Sequence, residues 1–385
     1  MNPRFLAAKT LCAVRRRILT GSVLLVALLA GVPCVDAAKG IPAPAIVRIE
    51  TEIKTTMTRE KIPGLSIAIV SGDQSAWTNG YGWADVENMV PATSATVYRL
   101  ASVSKPITAV AVMQLVEQHK VDLDAPIQEY CPAFPEKQWP VTARLLLAHL
   151  AGVRHYSAQE YADERHYDNV VDGLSIFSRD PLLAKPGTKF LYSSYGYNLL
   201  GCAVEGASKM DFVHYVTENV FEPANMKTAR VDDSVAIIPN RARGYSKMTG
   251  GNLGNALPEN TSYKIPSAGL CSTVADLIRF VIALQDHKLL TQETLQQMWT
   301  AQRTQSGQET DYGLGWEFPK DRDVQKVVYH RGDQRGVSTV LYMIPDRHIS
   351  VIIMTNLEGA KPLDLAIRVA NILAQQGGDA RVMTQ

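Results

Sequence analysis

Leu100-Ala101-Ser102-Val103-Ser104-Lys105-Pro106-Ile107-Thr108 is the stretch from which the rest of the chain can be read. Pro106 has no amide hydrogen and is tolerated only in a helix's first turn, so a helix must begin near Ser102 or Val103. From Ile107 to Val116 only Thr108 and Gln114 interrupt an apolar run, which predicts a helix buried on most sides. A serine is thereby held at the mouth of a central helix. Lys105 follows three residues later, the spacing that puts two side chains on one helical face. A serine hydroxyl is a poor nucleophile until a neighbour takes its proton, and a desolvated lysine can be that neighbour. The helix N-terminus adds amide donors for a developing oxyanion. About one Ser-x-x-Lys match is expected by chance in a chain of this composition, so the motif needs support from elsewhere.

Two further segments supply it. Pro186 to Tyr197 is turn-rich and presents Tyr192 and Ser194 just ahead of a helix expected over Tyr197 to Ala207. A tyrosine beside a lysine can relay protons as a phenolate, whereas Tyr195 and Tyr197 read as packing residues. Tyr329-His330-Arg331-Gly332-Asp333 lies where a strand runs into a turn. There a hydrogen-bonding side chain followed by glycine lets a substrate lie against the strand.

Around these segments the pattern divides in three. Leu65 to Val70 and Ser75 to Trp83 form a hairpin after a helix-like lead from Pro44 to Glu60. Lys326 to His330, Val337 to Ile344 and His348 to Thr355 supply three more strands, with a turn expected over Gly332 to Gly336. A helix from Pro362 through Ala374 closes this half. The middle of the chain has few alternating runs, and Thr142 to Leu150 reads as a helix ending at Gly152. The expectation is an α/β sandwich: an antiparallel sheet from both chain ends (38–121 and 261–376), flanked by helices, with a mainly helical region (122–260) inserted.

Residues 1–37 read as a secretory signal, with Arg4, Lys9 and Arg15 to Arg17 before an apolar run from Ile18 to Val32. An uncleaved anchor is the rival reading, and 377–385 is read as a flexible tail. Of five cysteines, Cys131, Cys202 and Cys271 lie beyond that segment. An odd, scattered set is not a disulfide framework, so all three read as small buried hydrophobes, with one pair open to oxidation in a periplasm. The 385 residues, 46% hydrophobic with net charge +1, exclude a disordered chain and give no electrostatic reason to expect nucleic acid. No phosphate loop or zinc-binding His-Glu-x-x-His occurs, so no metal or cofactor is expected. Without a Gly-x-Ser-x-Gly elbow, His149 reads as structural and a triad with His149 or His155 is a poor fit.

Taken together, Ser102-x-x-Lys105, Tyr192-x-Ser194 and His330-x-Gly332 resemble, in order and spacing, the serine β-lactamase and penicillin-binding protein superfamily. The resemblance is to the class C β-lactamase, D,D-peptidase and esterase branch and runs from about Pro63 to Asn356. Pro63 to Ser66, Leu146 to Gly152, Ala268 to Leu270 and Tyr312 to Trp316 support it. Phe134 to Lys137 and His149 to Tyr156 look most like the mitochondrial lactamase-like serine proteases and their bacterial relatives. The resemblance implies Ser102 as acylated nucleophile, Lys105 as its proton partner and Tyr192 as general base or leaving-group acid. It implies Ser194, His330, Gly332 and Asp333 as substrate-binding groups, with the Ser102 and Asp333 amides as oxyanion hole. Ser194 stands where that family usually has asparagine, and His330 replaces its Lys-Thr-Gly lysine. Strand alternation puts Arg331 and Asp333 on the side opposite His330, so Asp333 is expected to point away from Ser102 and pair with Arg331 or Arg335.

The function expected is an exported, periplasmic or secreted serine hydrolase that forms an acyl-enzyme on a small-molecule or peptide amide or ester. A β-lactamase, a penicillin-binding sensor and an assembly module without turnover are the rivals. Substrate identity, deacylation rate and oligomeric state are left open by the sequence.

Overall fold

A computed structural model describes residues 41–72, 75–161, 165–320 and 326–376. The expected signal (1–37) and tail (377–385) lie outside the described residues. The chain opens with α1 (Ala43–Glu60), whose buried positions Ala45, Ile49, Ile53 and Thr56 recur at helical spacing. A hairpin of β1 (Gly64–Ser71) and β2 (Ser75–Asp85) follows, with a two-residue strand β3 (Val90–Pro91) added to its edge. The other half comes from the far end of the chain: β4 (Val328–Gln334), β5 (Val337–Ile344) and β6 (Ile349–Thr355). They form one antiparallel sheet in the order β3-β2-β1-β6-β5-β4, with Leu65 of β1 facing Thr355 of β6 at the join between the halves. The sheet thus has six strands where five were expected.

Both faces of this sheet are covered, which explains why its central strands are buried almost without interruption. Leu65, Ile67 and Ile69, with Val340, Tyr342, Val351 and Ile353, face α1 and the C-terminal helix. Their alternates Ala68, Val70, Leu341, Met343, Ile352 and Met354 face the second core. That second core gathers around α2 (Ser104–Glu117), in which every residue from Ser104 to Leu115 is buried. Two more helices set the functional groups against α2: the short α3 (Ala143–Leu147) and α4 (Ser194–Ser208). The one-turn α5 (Ile265–Ala268) packs behind α2, and α6 (Val274–Gln285) covers β1 and β6. On the opposite face α7 (Pro362–Gln376) lies beside α1, joined to it by hydrogen bonds from Arg368 to Glu52 and Thr56. The result is an α/β sandwich. Among the described residues, no helix is long and apolar enough to cross a membrane.

Several local expectations are corrected. The stretch read as mainly helical also forms a small ribbon, Tyr245–Lys247 with Leu253–Asn255. α4 begins at Ser194 rather than Tyr197, because the Ser193 hydroxyl caps it by accepting from the Gly196 amide at 3.0 Å. α3 stops at Leu147 because His149 takes a left-handed backbone conformation (φ 57°) that turns its ring inward. The hairpin of β4 and β5 turns on Arg335 and Gly336 alone, and β4 stays paired with β5 through Gln334. Gly336 has φ 70°, which a two-residue hairpin loop of this kind favours.

The cysteine reading also changes. Cys131 and Cys202 form a disulfide that ties α4 to the loop after α2, and Cys271 is buried and free. The two partners are 71 residues apart in sequence, so spacing held no sign of the pairing. Closing a loop of that length is worth about 4 kcal/mol of chain entropy. Cys131→Ser/Cys202→Ser is therefore expected to lower the urea unfolding midpoint markedly, and reductant to have the same effect on the parent protein. Cys271→Ser should not reproduce the loss; equal midpoints for the double variant and the parent would contradict the assignment.

Candidate active site

Ser102 sits in a single 3-10 turn, Ala101–Val103, that runs directly into α2. In such a turn residues i and i+3 eclipse, which brings Lys105 over Ser102. Lys105 Nζ lies 3.0 Å from Ser102 Oγ. The turn is pinned from two sides. Thr339 Oγ1 of β5 donates to the Leu100 carbonyl at 2.9 Å, and the Leu100 amide donates to the Leu270 carbonyl at 2.8 Å. Ala101 is held at φ 49°, a strained conformation for a residue with a Cβ, immediately before the serine. Gly332 of β4 makes this approach possible: a Cβ there would meet the Leu100 carbonyl at 2.4 Å and Thr339 Oγ1 at 2.3 Å.

Lys105 is fully buried, and its Nζ contacts three oxygens: Ser102 Oγ, Ser194 Oγ at 3.1 Å and the Ser267 carbonyl at 3.0 Å. No ion pair of Lys105 occurs among the described residues. Burial lowers its pKa well below the usual lysine value, and the charge of Lys264 pushes in the same direction. A neutral amine has two N–H donors and one lone pair. The Ser267 carbonyl can only accept and Ser194 Oγ can take the second hydrogen, so the lone pair is left for the Ser102 proton.

Tyr192 completes the group: its hydroxyl donates to Ser102 Oγ at 2.9 Å, and its ring lies 4.9 Å from Lys105 Nζ. Burial raises the Tyr192 pKa well above 10. That shift favours the protonated phenol and so, of the two roles expected for Tyr192, the leaving-group acid. Two histidines fix its loop. His149 Nδ1 accepts from the Ser193 amide at 3.1 Å, and His155 Nδ1 accepts from the Ser194 amide at 3.0 Å. His149 also packs beneath Tyr192, with ring centres 4.3 Å apart. Tyr195 and Tyr197 are buried packing residues, Tyr195 stacked on Phe177.

The structure brings Ser102, Lys105, Tyr192 and Gly332 together but takes two other expected groups off the surface. Ser194 is fully buried beneath Lys105. His330 is also fully buried, Nε2 against the Tyr312 hydroxyl (2.8 Å) and Nδ1 against the Arg331 carbonyl (2.7 Å). A carbonyl only accepts, so the His330 proton is on Nδ1 and Nε2 accepts from Tyr312. Asp333 faces away from the buried side of β4, as alternation requires. Its partners differ from those expected: the carboxylate accepts from Ser338 Oγ at 2.6 Å and the Gly359 amide at 3.0 Å. Arg331 is engaged by Glu317, and Arg335 lies over the Tyr161 ring.

β4 is the sheet's edge strand, and its outward amides can be followed. Those of Tyr329 and Arg331 donate to Glu317, to its carbonyl at 3.0 Å and its carboxylate at 2.9 Å. With a repeat of two, the Asp333 amide points off the same edge, on the side where Gly332 meets the serine turn. Glu317 therefore caps the first half of the edge and leaves the Asp333 end for a ligand. Sequence reading missed Glu317. It also missed Ser267, which contributes only a backbone carbonyl and so carries no side-chain signal.

These groups open onto a cleft of about 840 Å³ with Ser102, Tyr156, Phe190, Tyr192, Phe318 and Arg331 among its walls. Among the described residues, no group of three or more His, Cys, Asp or Glu is placed to hold a metal. The arrangement is suited to nucleophilic attack by a serine, with a buried amine as base, a protonated phenol beside it and amides at a strand edge.

Known proteins share this framework. The Beta-lactamase family profile matches residues 49–375. The human mitochondrial serine beta-lactamase-like protein LACTB is 29% identical over 80% of this chain and 76% of its own length. Protein flp of Staphylococcus aureus strain MW2 is 26% identical over 80% of this chain and 63% of its own. Among solved structures, the penicillin-binding protein of Bacillus halodurans superposes with a TM-score of 0.71 at 26% identity, over 83% of this chain and 98% of that one. The octameric penicillin-binding protein homologue of Pyrococcus abyssi gives 0.74 at 25%, over 86% and 77%.

The histidines give a pH prediction. Burial lowers His155 to about 4. Burial also takes His330 to about 4, outweighing the opposing pull of Glu317. An unfolded histidine titrates near 6.5. Their neutral forms thus contribute stability that is present above pH 6.5 and lost as pH falls through 4, on the order of 3 kcal/mol each. Urea unfolding between pH 7 and 4 should show this decline, with a shallower slope in His155→Gln; a flat profile would contradict it.

Proposed function

The chain belongs to the Beta-lactamase family, and from that membership we propose that it is an exported serine acyl hydrolase working through an acyl-enzyme on Ser102. The observation that carries this reading is the convergence of Lys105 Nζ and the Tyr192 hydroxyl on Ser102 Oγ, at 3.0 and 2.9 Å. Ser102 Oγ attacks an ester or amide carbonyl while Lys105 takes its proton. The carbonyl oxygen becomes an oxyanion and is received by the Ser102 and Asp333 amides. Tyr192, kept protonated by burial, gives its proton to the leaving group and is reprotonated by Lys105. Water then attacks the acyl-enzyme by the same proton path and releases the acid.

Esters and amides are favoured over penicillins by the state of His330. The position that carries a lysine in the resembled Lys-Thr-Gly motif holds a buried, neutral histidine here, so it offers no cation to a substrate carboxylate. The aromatic walls of the cleft suit an apolar or aromatic acyl group. Export to a periplasmic or extracellular space is supported by the signal-like residues 1–37 and by the Cys131–Cys202 disulfide.

The test is time-resolved intact mass of the protein mixed with a p-nitrophenyl ester or with a penicillin. An adduct is expected in the parent and absent in Ser102→Ala. Lys105→Ala and Tyr192→Phe should slow acylation by about 10²- to 10⁴-fold. Ester turnover with a slow or absent penicillin adduct fits the proposal. A penicillin adduct that forms and clears quickly makes the protein a β-lactamase, and one that persists without product makes it a sensor. No adduct with either compound removes the acyl-enzyme reading.

A further inference from the structure

A second fully buried lysine lies just behind the site. Lys264, in the turn that leads into α5, has no exposed surface. Its Nζ pairs with the Glu259 carboxylate and sits among three tyrosine rings: Tyr161 at 4.4 Å, and Tyr156 and Tyr263 at 5.2 Å each. Two routes connect this lysine to Lys105. Through the backbone, the Lys264 carbonyl accepts from Ser267 Oγ at 3.1 Å, and the Ser267 carbonyl is itself an acceptor for Lys105. Through the cleft wall, Tyr156 packs on the His155 ring at 3.8 Å, His155 holds the Ser194 amide, and Ser194 Oγ meets Lys105.

The charges around it form a network. Glu259 is shared with Arg99 at 3.8 Å, Arg99 is also paired with Asp232, and Arg335 lies over the Tyr161 ring at 5.2 Å. Asp232 is also held by Arg241 at 3.4 Å, so Lys264, Arg99, Arg241 and Arg335 face the Glu259 and Asp232 carboxylates, with Asp333 and Glu358 at longer range and Tyr156, Tyr161 and Tyr263 as the other titratable neighbours. Around Lys105 the titratable neighbours are Tyr192 and Tyr197, His149, His155 and His330, and at longer range Glu317. None of these pairs with its ammonium form. A buried ion pair such as Lys264–Glu259 adds little stability that packed apolar side chains would not give, so its presence invites a functional reason.

We propose that Lys264 is a positioning residue for Lys105: its buried positive charge, one layer behind the cleft wall, keeps the Lys105 amine unprotonated and sets the pH above which Ser102 is activated. This rests on the reading of Ser102 as nucleophile and Lys105 as its base. Like charges in a poorly screened interior disfavour one another, and the group without a counter-ion gives up its proton. The direction follows: removing the Lys264 charge makes Lys105 hold its proton to higher pH.

The experiment follows the rate of Ser102 labelling by an uncharged alkyl fluorophosphonate between pH 5 and 10, with the modified residue located by peptide mass. In Lys264→Met the acid limb should move up by about one pH unit, lowering the rate on that limb about tenfold while the alkaline plateau stays within a factor of two or so. Lys264→Arg should restore the parent limb. Glu259→Gln/Lys264→Gln, which leaves no unpaired buried carboxylate, should also move the limb up and serves if Lys264→Met does not fold. A folded variant whose rate falls equally at every pH, or whose limb stays in place, overturns the proposal and reduces Lys264 to packing. If the parent is not labelled at Ser102 at all, the acyl-enzyme reading fails first and this inference falls with it.

Discussion

A lysine buried with no carboxylate partner among the described residues is the constraint around which the site is arranged. An ammonium group in that position would be costly, and a neutral amine is tolerated only if its hydrogens are satisfied. Three separate parts of the chain meet that demand at Lys105. The turn before α2 brings Ser102, the first residue of α4 brings Ser194, and α5 brings the Ser267 carbonyl. The elements that must converge to satisfy one nitrogen are the same ones that build a reactive serine. Stability and chemistry therefore share their contacts here.

The walls of the site rest on a second set of constraints, most of them polar groups turned inward. His149 and His155 spend their Nδ1 lone pairs on consecutive amides of the tyrosine loop, which fixes Tyr192 over Ser102. Glu317 binds the Arg331 guanidinium and amide through its carboxylate and the Tyr329 amide through its carbonyl, so one residue closes part of an otherwise open sheet edge. Gly332 lets that edge lie against the serine turn. His330, on the buried face of the same strand, is held by the Tyr312 hydroxyl and the Arg331 carbonyl.

How much of this could be read in advance depended on whether the signal was local. Pro106 and the apolar run after it placed the serine turn to within two residues. The alternation of β4 put Arg331 and Asp333 opposite His330, as observed. The cap at Ser193 was as local as these, yet it was overlooked, and α4 was expected three residues late. Other features had no local trace. The Cys131–Cys202 bridge spans 71 residues, and Asp333 chose Ser338 and Gly359 over two nearer arginines. An ion pair is decided by which oppositely charged group the fold brings within reach, and spacing along the chain does not report that.

From its residues alone this chain determined a sheet shared by both ends, a buried helix with serine and lysine on its first turn, and a tyrosine loop to face them. Those follow from period, capping and the geometry of proline, which act over a few residues. Only the tertiary structure decided the states of the groups. It buried Ser194 and His330, favoured the protonated form of Tyr192, gave Lys105 no counter-ion among the described residues and set Lys264 behind it. Protonation depends on desolvation and on charges brought from distant parts of the sequence, and those are properties of the packed interior rather than of any segment.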